Sequence, residues 1–438
     1  LNRSSDLEIS TGMLGNHWGL QGRLSNIGSQ GYLDRASTKL NSYFLQGGWF
    51  GENTIVKFIT WNGIEETYHA WNYTSKYEQS LYGRTYNSCG VIGYDANGNP
   101  NSYYEDQTDN YHQQNYQLIW NQQITDKLSS NVGLHYTKGK GYYQQYQSAE
   151  TQMWYGKSWA SFGLSTDDSV VEDLADQQKM DNDFYGFVAS LNYNNKKNLD
   201  VIVGGGWNRY SGYQFGRIVW TKPGVVTTVP EPAALLPDFE YYRNHSRKTD
   251  FNFYGKATYE IVGGLNAFVD LQYRHVGYKL QDPTVMYGVN RDKSYVIDNQ
   301  YNFFNPKFGI SYDITSQHKV YASYGIGHKE PVRNNFMQQI ANPDREDTKA
   351  RPERLNDLEV GYKFQSKRFT AGANVYWMDY KDQLVLTGEL NAIGEALTKN
   401  LENSYRLGLE LEAAWMPADW FRWDANATFS RNRVKDMV

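Results

Sequence analysis

Apolar and polar residues alternate along many stretches of the chain. In residues 421–430 the odd positions hold Phe, Trp, Ala, Ala and Phe, and the even positions hold Arg, Asp, Asn, Thr and Ser. The same alternation recurs in 405–415 (YRLGLELEAAW), 368–378 (RFTAGANVYWM) and 318–326 (HKVYASYGI). Because successive side chains of a β-strand point to opposite faces, each stretch predicts a strand with one apolar and one polar face.

The connections between the predicted strands alternate in length. Short turns are predicted at 124–127, 194–198, 261–264, 315–317, 365–367 and 417–419, and long loops at 62–111, 146–181, 214–246, 280–302, 329–352 and 382–403. Strict alternation puts every long loop at one end of the sheet. Many predicted strands run about 12 to 15 residues, which is enough to cross a bilayer at a tilt. Apolar outer faces, short turns at one end and long loops at the other are typical of an outer-membrane barrel.

The sequence therefore predicts an all-β fold, a transmembrane antiparallel β-barrel with about 16 strands between Asp6 and Arg433. Strands in lipid need every backbone group paired, so these strands must close with others. The chain begins LNRSSDLEIS and ends directly after a predicted strand. We expect residues 1–438 to be one β-barrel domain fragment.

Composition removes several other classes of protein. Mean hydropathy is −0.72, and no apolar run is long enough for a membrane helix. The single cysteine, Cys89, excludes an intrachain disulfide framework, and a net charge of −5 gives no basic footprint for nucleic acid. Alternation alone would also fit a soluble sandwich, whereas the repeat of a β-propeller is missing. The eight His residues lie in no catalytic grouping, so the chain is not predicted to be an enzyme.

Several longer motifs resemble one known family. They include RLSNIGSQGYLDRAS (23–37), RTYNSCG (84–90), YASYGIGHKEPVRNNF (321–336), RPERLNDLEVGYKF (351–364) and NSYRLGLELE (403–412). In this order, and across nearly the whole chain, they resemble the TonB-dependent outer-membrane receptors in the form common among Bacteroidetes.

The resemblance implies a protein of the bacterial outer membrane with a 22-stranded barrel, of which about 16 strands are present. Such receptors fill the barrel with an N-terminal plug and import scarce ligands with energy passed through TonB; we expect the plug and the last strands to lie outside residues 1–438. The resemblance places Glu359, Glu410 and Glu412 on the lumen wall facing the plug. Implied partners are the TonB complex through the plug, membrane lipid, a small ligand such as a ferric chelate, and a surface lipoprotein.

One predicted loop is strongly acidic. Residues 167–183 contain Asp167, Asp168, Asp173 and Asp176, and clustered carboxylates are ligands that Ca²⁺ prefers. We expect a candidate calcium site here, with a solvated acidic loop as the alternative. The stretch 170–180 could equally form a short amphipathic helix. No other cofactor is predicted.

Aromatic and basic residues are concentrated in the predicted long loops. Stacking and cationic groups suit an anionic aromatic chelate, although outer-membrane loops are rich in aromatic residues in any case. Candidate ligand-binding residues are Trp71, Arg84, Trp154, Tyr155, Tyr241, Arg243, His328 and Arg333. The leading hypothesis is a receptor and active transporter for a ferric siderophore; the alternatives are a haem or cobalamin receptor and a passive porin.

Overall fold

The structure, a computed structural model, describes residues 3–154, 157–165, 167–222, 239–281, 294–341, 344–346, 349–390 and 396–434. Sixteen strands of this part form one antiparallel sheet in chain order. They are β1 (Arg3–Leu14), β2 (Trp18–Ser29), β3 (Thr38–Phe50), β4 (Thr54–Tyr68), β7 (Thr108–Thr125), β8 (Leu128–Gln147), β9 (Leu174–Asn194), β10 (Leu199–Thr221), β11 (Phe239–Val262), β12 (Leu265–Gln281), β13 (Tyr295–Asp313), β14 (His318–Lys329), β15 (Glu353–Gln365), β16 (Phe369–Leu390), β17 (Ala396–Ala418) and β18 (Phe421–Val434).

The long connections carry the remaining elements. A separate hairpin, β5 (Val91–Tyr94) with β6 (Pro100–Tyr103), and helix α1 (Lys76–Tyr82) lie between β4 and β7. Helix α2 (Ala149–Trp154) and a 3-10 turn (Trp159–Phe162) lie between β8 and β9, and α3 (Arg333–Ala341) lies between β14 and β15. In the described part of the chain, no helix is both long and apolar enough to span a membrane.

All six predicted short turns are confirmed, but the strands reach further into the predicted long loops than expected. For example, β16 continues to Leu390 and β17 begins at Ala396, so most of 382–403 is strand. The alternative of a short amphipathic helix over 170–180 is also wrong, because β9 begins at Leu174. Beyond the bilayer the outer face of a strand no longer needs to be apolar. The alternation of apolar and polar residues therefore stops there, although the strands continue to pair through their backbones.

The register aligns the apolar faces of neighbouring strands. Val360 of β15 pairs with Val375, which pairs with Leu409, which pairs with Phe429 of β18. These side chains are at or near the exposed surface, with Phe429 64% exposed. Exposed apolar residues in a continuous row are what a lipid-facing surface requires. The opening pattern of alternation is therefore confirmed as one apolar outer face.

Aromatic residues border this apolar band. Toward the short turns the outer face carries Tyr193, Tyr259 and Tyr312, and toward the long connections it carries Tyr136, Tyr185, Trp207, Phe251 and Tyr273. Strand β11 rises roughly 27 Å along its own axis between Phe251 and Tyr259. At the usual tilt of a barrel strand this gives a height of about 20 Å, close to the apolar band of an outer-membrane barrel.

The buried side chains lie where the long connections fold against the polar, inner face of the sheet. One cluster contains Trp159, Phe162, Leu164, Leu174, Ile218 and Tyr241, and the other contains Tyr278, Leu280, Ile297 and Phe336. Both lie near the ends of the strands that carry the long connections. The apolar cores of the described residues therefore fix these connections to the inner wall.

Candidate ligand-binding site on the inner wall

The connection between β8 and β9 is closely packed against the wall. Trp159 and Leu164 are fully buried, and the indole nitrogen of Trp159 donates a hydrogen bond to the carbonyl oxygen of Glu172 at 2.8 Å. The Tyr241 hydroxyl donates to Asp176 Oδ2 at 2.8 Å, and Gln147 Nε2 donates to Asp176 Oδ1 at 2.7 Å. Both oxygens of this buried carboxylate are thus satisfied by the protein itself.

The carboxylates of the expected calcium site are either bound by protein groups or exposed to solvent. Asp173 accepts hydrogen bonds from the Tyr146 hydroxyl at 2.6 Å and from the backbone amide of Ala149 at 2.8 Å. Asp167 is exposed and accepts from the backbone and side chain of Ser169, and Asp168 is also exposed. Within the described ranges, no three His, Cys, Asp or Glu side chains come together as metal ligands. The acidic loop instead uses its carboxylates to cap turns and to hold strand ends together.

Helix α3 covers the inner face of β12 and β13. Phe336 is fully buried and stacks on Tyr278, with ring centroids 4.7 Å apart and planes at 22°. Across the lumen side, Asn335 Nδ2 donates to the hydroxyl of Thr398 in β17 at 2.9 Å, and Gln338 Nε2 donates to the carbonyl of the same residue at 2.8 Å. The helix is therefore held between two well-separated parts of the wall.

An ion-pair network fixes the chain just before α3. Glu330, with a side chain 7% exposed, contacts Arg274 at 2.9 Å and Lys248 at 2.5 Å, and Arg274 also pairs with Asp250 at 2.5 Å. Burial tends to raise the pKa of the Glu330 carboxyl, but the two cations outweigh it and hold that pKa below its usual value. Glu330 is therefore ionised and bound to the wall.

Arg333, in the first turn of α3, has a different environment. Its buried Nε has no hydrogen-bond partner among the described residues, and the same is true of the buried hydroxyl of Tyr278. Burial raises the pKa of the hydroxyl groups of Tyr210, Tyr242 and Tyr278, and the positive charge of Arg333 opposes that shift in each of them. A half-buried guanidinium with an unpaired donor, within electrostatic range of three tyrosines, is suited to hold an anion with an aromatic surface.

Below this helix the inner wall forms a polar recess of about 450 Å³, with Asp250, Arg274, Asn305, Lys307 and His328 among its lining residues. The expected loop position of His328 is wrong, because it lies in β14. Its Nδ1 lies 2.8 Å from the side-chain oxygen of Asn305, and its ring stacks on Phe303 with centroids 5.2 Å apart. His328 is thus a wall residue of this recess.

Four of the other predicted residues do not join Arg333 in one site: each lies elsewhere, is buried, or is already bound by another side chain. Trp71 is 49% exposed and stacks on His69 at 3.8 Å, and Arg84 is exposed with no hydrogen bond or ion pair to the described residues. Tyr241, 5% exposed, lies under the β8–β9 connection and not in a loop. Arg243 is likewise in β11, and its guanidinium is bound by Glu240 at 2.7 and 2.9 Å.

The remaining pair lies in the connection between β8 and β9. Trp154 is the last residue of α2, and Tyr155 falls outside the described residues. The structure therefore brings Arg333 and His328 to one side of the inner wall and gives no such grouping for the full predicted set.

The sequence and the sheet match one protein family. The model of the family described as TonB dependent receptor-like, beta-barrel, matches residues 48–437. The chain belongs to the TonB-dependent receptor family. It is a barrel chain of the bacterial outer membrane, and its family consists of receptors and transporters rather than enzymes.

Solved structures of TonB-dependent receptors share this fold. The ferric-catecholate import receptor Fiu from E. coli is 16% identical with a TM-score of 0.65, over 99% of this chain and 63% of that one. The copper transporter OprC is 11% identical (TM-score 0.67; 99% and 61%), and the ferric citrate transporter FecA is 11% identical (TM-score 0.69; 99% and 57%). The chain thus spans about three fifths of these receptors. No curated protein matches the sequence.

The acidic wall of this TonB-dependent receptor lies on β15 to β17, away from α3. Asn374 Nδ2 donates to Glu359 at 3.2 Å and to Glu410 at 3.3 Å, and Glu412 is exposed on the same face. Two glycines on neighbouring positions cannot be replaced by a larger residue without a steric clash. A Cβ at Gly361 would overlap the ring of Tyr321, and one at Gly408 would overlap the hydroxyl of Tyr376. Flat tyrosine side chains across the wall require glycine there.

Sequence reasoning missed Lys248, Arg274, Tyr278 and Glu330. The first three lie on the polar face of their strands, and the sequence alone does not distinguish a binding residue from the other polar residues of that face. The sequence could have placed two of them on the inner face. If Tyr273 faces outward, the alternation of side chains along β12 puts Arg274 and Tyr278 on the inner face.

Proposed function

We propose that the full-length protein is an active importer for a ferric siderophore, and that Arg333 with the tyrosines around it binds the chelate. The observation that carries the proposal is the buried Arg333 Nε, which has no hydrogen-bond partner among the described residues. The hydroxyl of Tyr278, on which the Arg333 charge acts, also has no partner there. Nearby cations of the wall are already paired with Glu330 and Asp250. A new anion would therefore find its least compensated charge at Arg333.

The tyrosines explain why an aromatic chelate fits best. Tyr210 and Tyr278 flank Lys248 on neighbouring strands, and Tyr242 lies above them on β11. Ring faces bind flat aromatic groups, and the hydroxyls hydrogen-bond to chelating oxygens. Two of the similar solved structures are named for ferric catecholate and ferric citrate, both acidic chelates, which supports this ligand class.

Haem and cobalamin are weaker candidates on the same grounds. A haem site would favour an accessible histidine, but His69 is 4% exposed and His245 contacts Ser211 at 2.8 Å and Tyr295 at 3.0 Å through its two ring nitrogens. His328 is bound to Asn305. Cobalamin would have suited the acidic loop if calcium ordered it, but Asp173 and Asp176 already accept hydrogen bonds from protein groups, which does not favour that ligand.

Energy coupling and the remaining partners belong to the same proposal. A plug domain with a TonB-contacting segment would fill the lumen, and its basic groups would meet Glu359, Glu410 and Glu412 on the wall. A surface lipoprotein would be an additional partner at the rim. The competing hypothesis, a passive porin, requires an open lumen and no plug.

Calorimetry on the full-length receptor tests the ligand class. Ferric catecholate, haem and cobalamin would each be titrated into the wild type, Arg333→Ala and Arg84→Ala. We expect tight binding of the ferric catecholate, loss of affinity in Arg333→Ala, and little change in Arg84→Ala, which removes an exposed arginine outside the site. Tight binding of haem or cobalamin alone, or equal ferric catecholate affinity in all three proteins, would contradict the proposal.

A further inference from the structure

The outer surface above the upper aromatic border carries a group of cations that the import function does not use. We define the outer basic patch as Lys140, Lys179, Arg209, Arg243, Arg247 and Lys279, all on strands β8 to β12. Register places each of them on the same face as the lipid-facing residues: Lys140 is aligned with Tyr136, Arg209 with Trp207, and Arg247 with Phe251. The patch therefore faces outward and lies beyond the apolar band.

Most carboxylates near the patch are already neutralised. Asp181 and Asp183 both contact Lys138, at 2.5 and 3.2 Å, and Asp298 contacts Lys279 at 2.7 Å. Glu240 is bound by Arg243 at 2.7 Å. By contrast, Lys140, Arg209 and Arg247 make no ion pair with the described residues, and the buried Nε of Arg209 has no hydrogen-bond partner there. Lys138 offsets only one of its two carboxylates. Together with Lys138, the six cations of the patch make seven positive charges against the four carboxylates Asp181, Asp183, Glu240 and Asp298, which leaves a surplus of three.

Aromatic rings hold these cations in place. The guanidinium carbon of Arg209 lies 5.4 Å from the ring of Trp207, and that of Arg247 lies 5.8 Å from the ring of Tyr295, whose hydroxyl accepts a hydrogen bond from Arg247 at 3.1 Å. Ser211 pairs with Arg247, so Arg209 is the diagonal neighbour of Arg247 on the adjacent strand. Diagonal neighbours lie about 7 to 8 Å apart, a spacing at which both guanidinium groups can contact one phosphate group.

The position of the patch decides what it would meet. The long connections are at this end of the strands, which in an outer-membrane barrel is the exterior end. Arg209 is only two residues beyond the aromatic border, at the level of lipid headgroups. The outer leaflet of the outer membrane consists of a glycolipid whose lipid A headgroup carries phosphate groups. Clusters of Lys and Arg at headgroup level bind anionic lipids.

We propose that the outer basic patch is a binding site for the phosphorylated headgroup of lipid A in the outer leaflet, with Arg209 and Arg247 as its main phosphate ligands. Arginine donates paired hydrogen bonds that match phosphate oxygens. Lys140 and Lys179 extend the site toward β8 and β9. The site would fix the barrel in the leaflet at the side where the β8–β9 connection packs against the wall.

The test uses the full-length receptor in detergent and measures lipid A bound to it by native mass spectrometry. The variant Arg209→Gln with Arg247→Gln removes two charges from the patch. The control Lys196→Gln with Lys197→Gln removes two charges from the short turn between β9 and β10, at the opposite end of the barrel. A third protein, Arg209→Lys with Arg247→Lys, keeps the charge, and folding of all four proteins is checked by far-UV circular dichroism.

We expect phosphorylated lipid A to bind the wild type, the control and the lysine variant, and to bind the glutamine variant about thirtyfold more weakly, since each cation at headgroup level contributes on the order of fivefold. Equal binding to the wild type and the glutamine variant would overturn the proposal. So would equal binding of lipid A treated with phosphatase, or displacement of lipid A by millimolar inorganic phosphate, which would indicate a site for a free ion.

Discussion

Two charged side chains at the junction of loop and wall show how the same barrel can build a structural contact and a binding site. Asp176 is completely buried, and Gln147 and Tyr241 satisfy both of its oxygens. Arg333 is only half-buried, but its Nε has no partner among the described residues. A buried charge is tolerated when it is hydrogen-bonded, and a partly buried charge left unpaired is available for a ligand. We therefore expect Asp176 to contribute to stability and Arg333 to bind the ligand.

Removing the Asp176 carboxylate should have the largest effect on stability. Asp176→Ala leaves the buried Tyr241 hydroxyl and the Gln147 amide without their acceptor, so we expect a loss of about 2 to 4 kcal/mol in the local stability of residues 148–173. Hydrogen exchange of their backbone amides measures this. Tyr241→Phe serves as the control, because it removes one hydrogen bond and should cost about 1 kcal/mol. Unchanged protection in Asp176→Ala would show that this carboxylate is not structural.

Arg333 should behave in the opposite way. In Arg333→Ala we expect ferric catecholate to bind about 10 to 100 times more weakly, because a charge-assisted contact is lost. The free energy of unfolding should change by less than about 0.5 kcal/mol, since Arg333 makes no ion pair with the described residues. Isothermal calorimetry and thermal unfolding of the same preparations separate the two effects. A destabilised protein with normal affinity would reverse the assignment of Arg333.

The Glu330 network should make the position of α3 depend on pH. Its cationic partners hold the folded-state pKa of Glu330 below the ordinary value of 4.5. Such a group contributes stability that is fully present above pH 4.5 and is lost as the pH falls through the folded-state pKa. Limited proteolysis at decreasing pH should therefore cut the α3 region more readily below pH 4.5. Glu330→Gln should show the same susceptibility at neutral pH, and if it is as resistant as the wild type, the network does not hold the helix.

His69 should make the connection between β4 and β7 sensitive to pH. Burial between Trp71 and Tyr143 lowers its pKa from 6.5 to about 4. The unfolded segment then binds a proton that the folded one does not, so the connection between β4 and β7 should lose stability progressively as the pH falls from 6.5 toward 4. An NMR titration of the His69 ring protons should show a midpoint near 4. A midpoint near 6.5 would mean that the ring is open to water.

The alternation of apolar residues was sufficient to predict the barrel. Lipid imposes a period of two on the outer face, so the strands that contain Leu409 and Phe429 were recognisable, and the short turns followed from the turn residues between them. The upper third or so of each of β10, β11, β16 and β17 was predicted as loop. No lipid faces them there, and their backbone pairing leaves no periodic mark in the sequence.

The binding site was less predictable, because it depends on which connections fold into the lumen. Arg333 was identified as a basic loop residue, but nothing in the sequence distinguishes it from Arg84, which the fold leaves exposed, or Arg243, which Glu240 neutralises. The acidic residues 167–183 suggested calcium because a sequence does not show that Asp173 and Asp176 accept hydrogen bonds from Tyr146, Gln147 and Tyr241. For these two aspartates, contacts with segments distant in the sequence determine whether the charged side chain is paired or free.

Iron uptake by intact cells tests the central claim most directly. Cells expressing the full-length wild type or Arg333→Ala would be given radiolabelled ferric catecholate, with and without an uncoupler that dissipates the proton gradient. We expect uptake that stops with the uncoupler and falls about tenfold or more in Arg333→Ala at low ligand concentration. Uptake that persists without the gradient and is equal in both proteins would contradict it and would favour a passive pore.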